Sequence, residues 1–570
     1  MKEKLETAIS DAVQALFAVH LTIELTRPEE QFGDYATNVA LQLSKQLGKN
    51  PREIAEALAV KLREALAEQI REVTVAGPGF INLILSDEAL AQSLQAKPIQ
   101  SLAGQTIVAE YSDPNPFKVL HAGHLYTSVV GDAIANLLAG AGGTVHRVNF
   151  GGDVGLHVAK TIWAILFYET KGNTSDEELA LLKTKTYRDK SLETRAAWLA
   201  NNYMRGTADY EEDNEDAKMQ IVALNKRIYQ IHTDNDHDSP LAQIYWLGRE
   251  WSYAYFDSFY KHIGTSFEKY YPESETAPLG LQTVRDHVGT VYEESNGAVI
   301  FDGEKYGLHT RVFINSEGLP TYEAKDVGLI MKKWQDYHFD QSIVITGNDI
   351  IEYMKVVLKS IEQFKPELSS RSRHLTHGIV KLTGGTKMSS RKGNILRATD
   401  VLSAAHEANQ ALTGQGNQET VLGAVKYAFL KNRMGGDIIY DPQESVSLEG
   451  NSGPYLQYAH ARARSILSKA DAPAQDDTFS DKLALEAGER SLARKISEYT
   501  EAVDKATAEL MPHHICAYLY ELAQTFNRFY EHNRVIGDER QAVRLSLVRR
   551  YADTLKAGLA ILGIASPNKM

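Results

Sequence analysis

Asp113–His124 reads DPNPFKVLHAGH, between an apolar, β-prone run (Thr106–Tyr111, TIVAEY) and a helix-like run (Leu125–Leu138). A strand passing into a helix is where α/β folds bind anions. The first N–H groups of the helix lack helical partners, and its dipole favours negative charge. Pro114 and Pro116 stiffen the approach and exclude an early helical start. His121 and His124 are three apart, so they share a face once the helix begins. Gly123 between them leaves room for a flat ligand against the backbone. Alone, an HxGH string fits an ordinary turn with two surface histidines better than a site, so the rest of the chain must decide.

Outward from that stretch, Gly140–Gly143 stops the helix and Val145–Phe150 forms the next strand. This βαβ spacing predicts a parallel, doubly wound sheet. Gly151–Gly155 (GGDVG) follows at a strand's C-terminal end, where Asp153 could meet a ribose hydroxyl or cap the next helix. The sheet is expected to resume with Ala298–Asp302 and Val312–Ile314, then Ser342–Thr346 and His377–Lys381. Tyr322 and Asp326 fall at i, i+4 on one helix face. The last strand leads into Thr383–Asn394, TGGTKMSSRKGN, which gathers glycines, hydroxyls, Lys387, Arg391 and Lys392. Hydroxyls and cations in a glycine-rich loop suit a polyphosphate.

Residues 168–275 differ: they are charged, mostly helical in pattern and rich in aromatics (Trp246, Trp251, Tyr253, Tyr255, Phe256, Phe259, Tyr260). They read as an insertion between the halves of the sheet, the aromatics as its core. Residues 1–100 read as a small α+β unit. Leu5, Ile9, Ala12, Val13, Leu16 and Phe17 recur at helical spacing, helices are expected over Phe32–Leu47 and from Pro51, and strands over Val73–Ala76 and Phe80–Leu85. Phe80 and Asn82 point to one face of a strand, where they could stack on and hydrogen-bond an unpaired base, or simply pack. From about Asp400 the pattern is nearly all helical, and residues 401–570 are expected to be a third domain. Tyr455, Tyr458 and Arg462 form one stripe at i, i+3, i+7, able to clamp splayed bases or to form a tyrosine seam. Arg540, Arg544, Arg549, Arg550 and Lys556 read as a local basic surface.

A chain of 570 residues needs three or four cores. Hydrophobic residues at 43% and charged at 24% describe a soluble globular protein. No apolar run reaches membrane-spanning length, and the amphipathic, acid-containing N-terminus does not read as a leader. Cys516 is the single cysteine, which excludes an internal disulfide and a multi-cysteine zinc site, and no structural metal is expected. A net charge of −13 argues mildly against nucleic acid, unless basic surface is local.

HAGH and KMSS, in that order, resemble the two signatures of class I aminoacyl-tRNA synthetases. Within the class, EYSDPNPFKVLHAGHL, GNSGPYLQYAHARARSIL and the ending LGIASPNKM resemble the arginyl-tRNA synthetase family. The resemblance covers nearly the whole chain except 168–275. It implies an α/β Rossmann-like catalytic domain (101–400), an N-terminal α+β domain that meets the tRNA corner (1–100) and a C-terminal helical anticodon-binding domain (401–570). It also implies arginine, ATP with Mg2+ and tRNA(Arg) as substrates, no membrane, a monomer and a cytoplasmic setting. By resemblance, His121, His124, Lys387 and Lys118 are catalytic. The ATP site adds Gly123, Asp153, Gly378, Ile379, Val380, Met388 and Ser389. Glu110, Asn115, Tyr322 and Asp326 bind arginine; Phe80 and Asn82 meet the D-loop; Tyr455, Tyr458 and Arg462 meet the anticodon. A guanidinium fork needs carboxylates, which agrees with this pocket. Two departures stand out. The second signature lysine is Ser390 here, followed by Arg391, with Lys118 available as another cation. The segment NDIIEYMKVV lacks the glutamine found in many relatives, leaving Asn348, Asp349, Tyr353 or backbone in its place. The other readings are a class I synthetase for lysine and a non-catalytic tRNA-binding paralogue.

Overall fold

A computed structural model describes residues 1–212, 214–383, 396–470 and 484–570. The parallel sheet has five strands, in spatial order Ser372–His377, Gln341–Gly347, Thr106–Glu110, Thr144–Gly151, Lys269–Pro272. Ile107, Val108, Ala109, Ile343 and Ile345 are all buried, as expected where helices cover both faces. Strand order reverses between Thr106–Glu110 and Gln341–Gly347, so a crevice opens at their C-terminal ends. DPNPFKVLHAGH leaves the sheet there and enters the helix Ala122–Gly140. That helix sits close because Gly131 has no side chain: a Cβ there would lie 2.2 Å from the Tyr111 ring.

Several expectations need correction. Ala298–Phe301 and Arg311–Ile314 are not in the main sheet; with Glu293–Ser295 they form a separate antiparallel sheet. The short link between them cannot make the crossover that parallel pairing requires. Lys269–Pro272, inside the stretch expected to be inserted, is the edge strand of the main sheet. The strand expected over His377–Lys381 is split at Gly378. Ser372–His377 belongs to the main sheet, whereas Val380–Leu382 pairs in parallel with Ile438–Tyr440. The split is steric, since a Cβ on Gly378 would lie 2.4 Å from the Gly436 backbone.

The inserted helices, Glu177–Lys185, Leu192–Glu211, Glu215–Thr233 and Pro240–Ile263, share a core of Trp163, Trp198, Ile221, Tyr245 and Trp251. The N-terminal unit combines four α-helices with a three-stranded antiparallel sheet, with Phe80–Leu85 in the centre. Part of the helix expected over Phe32–Leu47 is the strand Tyr35–Thr37, and the helix starts only at Val39. Asp34 fixes this start by accepting from the Leu85 N–H at 2.7 Å.

The N-terminal unit docks on the C-terminal helices through arginines. Arg490 meets Asp34 at 2.6 Å and Asp87 at 2.5 Å, and Arg27 meets Glu501 at 2.7 Å. The basic surface expected at Arg540 and Arg544 is not one. Both guanidiniums fold back onto Glu486 and Glu489, and Arg544 also meets Asp538 at 3.2 Å. No helix among the described residues is long and apolar enough to cross a membrane.

Candidate active site

The turn between strand and helix is held from several sides. Ser112, Asp113 and Phe117 adopt left-handed backbone (φ 78°, 48° and 67°), with Pro114 and Pro116 between the last two. Asp113 Oδ1 accepts from the Phe150 N–H, and Asn115 Oδ1 from the Gly152 N–H, both at 2.8 Å. The turn is thereby stitched to the end of the neighbouring strand.

His121 is the residue before the first helical turn, and His124 closes that turn. Each backbone N–H donates to the other's Nδ1, at 3.1 and 3.3 Å, and the rings stack 3.7 Å apart. With both Nδ1 atoms accepting, each neutral ring carries its proton on Nε2. Burial, reinforced by the Lys118 ammonium, lowers His121 to about 4. Burial, with His121 and Lys118 adding, holds His124 well below the usual histidine range. The pair therefore offers two neutral N–H donors near pH 7 rather than two charges. The role of Gly123 also changes: a Cβ there would lie 2.8 Å from the His121 ring, so the glycine admits its neighbour's imidazole.

Other segments converge on this turn. Leu396–Ala398 pairs antiparallel with Leu120–Ala122, through Ala122 N–H to Leu396 O at 2.8 Å and Ala398 N–H to Leu120 O at 3.0 Å. Lys387, Met388 and Ser389 lie outside the described residues, which resume at Leu396, beside the paired histidines. Thr127 Oγ1 donates to Gly123 O at 2.8 Å and lies 2.6 Å from His377 Nε2. This links the helix start to the Gly378–Val380 segment. There Ile379 is half exposed and Val380 is buried.

Beneath the turn lies a cluster of buried acid. Glu110 pairs with Lys333, both buried. Glu273 meets Lys325 at 2.6 Å, and its Oε1 lies 3.1 Å from where a Cβ on Gly152 would sit. The same Cβ would lie 2.7 Å from Asn115 Oδ1, so Asn115 and Glu273 flank Gly152. Asp326 accepts from the Tyr353 hydroxyl. Burial pushes the Asp326 carboxyl up to about 7; the Tyr353 hydrogen bond opposes this, and Glu110 and Glu273 add to it. Burial and Glu110 also hold Asp113 well above the carboxylate range. Among the described residues, the cluster of Glu110, Asp113, Glu273 and Asp326 contains two ion-paired cations, Lys325 and Lys333. Tyr322, 62% exposed, stands at the rim with its ring 5.1 Å from Lys325 Nζ.

Asp153 corrects both readings of GGDVG. It is fully buried and accepts from Arg249, from the Ser274 N–H and Oγ, and from Tyr245. It neither faces the crevice nor caps the following helix, whose N-cap is Gly155. Its role here is to fix Ser274 and hence the adjoining Glu273. Glu273, Lys325, Lys333, Thr127 and His377 were not singled out from sequence. Glu273 had a usable signal, since it follows a sheet strand at its C-terminal end.

Farther out, Phe80, the first residue of its strand, is exposed, but Asn82 is buried. The expected exposed aromatic–amide pair is thus reduced to Phe80. On the C-terminal helix Gly453–Ser468, Tyr458 is exposed, while the Tyr455 hydroxyl accepts from Asn527 at 2.9 Å and Arg462 stacks over Tyr530 at 4.6 Å. No group of three or more His, Cys, Asp or Glu side chains among the described residues is placed to hold a metal.

Comparison with known proteins places this geometry. Residues 86–441 match the family profile described as tRNA synthetases class I (R), catalytic domain. Residues 1–85 match the arginyl tRNA synthetase N terminal domain, and 456–570 the DALR anticodon binding domain. The chain belongs to the class I tRNA synthetases, in their arginyl family. The arginine–tRNA ligase of Limosilactobacillus fermentum is 30% identical over 597 residues, with both chains fully covered. That of Phocaeicola vulgatus is 27% identical, also with full coverage of both. The fold is that of the Thermus thermophilus arginyl-tRNA synthetase structure, at a TM-score of 0.78, 24% identity and 100% coverage of each chain.

Proposed function

We propose that the chain is an arginine–tRNA ligase. It joins arginine to ATP, giving arginyl-adenylate and pyrophosphate, then passes the arginyl group to the 2′-hydroxyl of the terminal adenosine of tRNA(Arg), releasing AMP. The observation that carries the reading is the charge balance of the pocket. Four carboxyl groups (Glu110, Asp113, Glu273, Asp326) face two ammoniums (Lys325, Lys333). The side chain and α-amino group of arginine would bring two positive charges into that excess. Asp326 and Glu273 are the natural partners for the guanidinium fork, Asn115 is an acceptor beside them, and Tyr322 is a rim over the aliphatic stem. Glu110 acts through Lys333 at the floor.

On the phosphate side, the neutral His121 and His124 donate Nε2–H to ATP oxygens, and Lys118 adds a positive charge. Lys387, Met388 and Ser389 are assigned here by the resemblance alone, as is the purine seat on Gly123 and Gly378–Val380. No side-chain nucleophile is needed: the arginine carboxylate attacks the α-phosphate, and the protein's work is positioning and charge stabilisation. ATP enters as its magnesium complex, the metal travelling with the substrate. Phe80, with Asn82 behind it, is assigned to the tRNA corner, and Tyr455, Tyr458 and Arg462 to the anticodon. We read the protein as a cytoplasmic monomer; the buried thiol of Cys516 suits a reducing compartment.

ATP–pyrophosphate exchange with arginine, run with and without tRNA, tests the reading. Exchange is expected with arginine when tRNA is present. No exchange in either condition defeats the assignment, and exchange with lysine in place of arginine moves it to another class I enzyme.

A further inference from the structure

Helices of the inserted lobe reach the site. Pro240–Ile263 grips the turn: the Phe117 N–H donates to Ser252 Oγ at 2.9 Å, and the Phe117 ring fills the space over Gly248, 2.3 Å from where a Cβ would sit. A left-handed aromatic residue is uncommon, and these contacts hold it. Phe117 thereby enters the core of the lobe, with its ring stacked 6.0 Å from Tyr245. Its neighbour Lys118 lies over the face of Tyr203, on the inserted helix Leu192–Glu211, with Nζ 4.6 Å from the ring centroid. A third inserted helix brings Tyr229 to within 6.0 Å of Lys325 Nζ.

The Lys118 ammonium is felt by His121, His124 and His157, whose basicity it lowers, and by Glu273, whose charged form it favours. It therefore stands between the paired histidines and the acid cluster. Among the described residues it has no carboxylate within ion-pair distance. A carboxylate would neutralise it. An aromatic face restrains a long, flexible lysine while leaving its charge available to a phosphate.

We propose that the inserted lobe forms a wall of the active site, and that Tyr203 is a positioning residue whose ring holds the Lys118 ammonium, charge intact, on the phosphate side of the paired histidines. The inference rests on Lys118 serving the ATP phosphates. The test uses the full-length enzyme in ATP–pyrophosphate exchange with arginine and tRNA, comparing Tyr203→Leu, Tyr203→Phe, Lys118→Met and the Leu/Met double variant. Tyr203→Leu should lower kcat/KM for ATP roughly 10-fold, the scale of a lost cation–π contact in a desolvated site. It should leave the KM for arginine within about twofold. Tyr203→Phe keeps the ring face and should stay within about twofold of the parent. The double variant should be no worse than Lys118→Met alone, because the tyrosine acts through the lysine. The inference is overturned if Tyr203→Leu leaves ATP use unchanged, or costs as much without Lys118 as with it. A silent Lys118→Met removes the phosphate reading of Lys118 itself. A damaged Lys118→Met beside a silent Tyr203→Leu removes only the role of Tyr203. If the leucine variant does not fold, Tyr203→Met against Tyr203→Trp carries the same contrast, with loss expected for Met and retention for Trp.

Discussion

The acid cluster beneath the HAGH turn and the junction between the N- and C-terminal domains both bury carboxylates, and they neutralise them differently. At the junction Asp34, Asp87 and Glu501 each meet at least one arginine, whose planar fork satisfies two oxygens or two partners at once. In the pocket the cations are lysines, point charges that each engage one carboxylate and, among the described residues, leave Asp113 and Asp326 without an ion-pair partner. A balanced network is what a permanent interface needs, since an unpaired buried charge costs several kcal/mol. The unbalanced one is relieved by protonation, which burial favours at Asp113 and Asp326, until a ligand supplies the missing charge. The two regions thus separate structural from functional burial of charge without reference to any motif.

The strongest attempt to break this contrast is Asp326→Ala. Losing one member of a desolvated charge pair with the substrate should cost about 3–5 kcal/mol, a fall of roughly 100- to 1000-fold or more in kcat/KM for arginine. The KM for ATP should be little changed. Equal losses for both substrates would contradict the pocket assignment. At the junction, Arg490→Met strands Asp87 and leaves Asp34 only the more distant Arg494, at 3.6 Å, and should destabilise the fold by about 3 kcal/mol, visible in denaturant or thermal unfolding. The same experiment on Asp326→Asn should show a melting temperature no lower than the parent, because the change removes surplus negative charge. If Asp326→Asn melts as early as Arg490→Met, the two clusters are the same kind of structure after all.

A smaller effect sharpens the comparison through pH. Burial raises Asp326 to about 7, so the carboxylate that arginine needs forms only as the pH climbs through that value. The KM for arginine should fall as pH rises from about 6 to 8, by at most about tenfold per unit. Tyr353→Phe removes the hydrogen bond that pulls this group down, and should shift the midpoint upward. For stability the sign is the reverse. The contribution of neutral Asp326 is full below the ordinary carboxylate range near 4 and is lost as pH rises towards about 7. Unfolding measured across that window should show this loss in the parent but not in Asp326→Asn.

Much of the site was legible because its chemistry is local. His121 and His124 are three residues apart, and Asn115 lies on the same turn, so a single strand–helix crossing carries them all. Tyr322 and Asp326 share a helix face by spacing alone. What was not legible is long range. The partners that set the state of each acid are distant in the chain: Lys333 for Glu110, Lys325 for Glu273, and Arg249 with Ser274 for Asp153. Asp153 illustrates the failure, since its position at a strand end suited a ligand and only packing revealed that its oxygens were taken. The basic run at Arg540 and Arg544 failed in the same way, for charge on a helix says nothing of the acids facing it.

By itself the sequence determined the three-part division of the chain, the parallel sheet around Thr106–Glu110, and the turn that holds the paired histidines. Periodicity, glycine and proline placement, and contiguous side chains are local properties that the chain carries everywhere. Tertiary structure alone decided which strands join the sheet, which carboxylates are matched and which remain for a substrate. It also decided that an inserted helix lends Tyr203 to the site. Each of these depends on residues tens to hundreds apart being brought within a few ångströms, out of water, where pairing rather than identity fixes what a charged group can do.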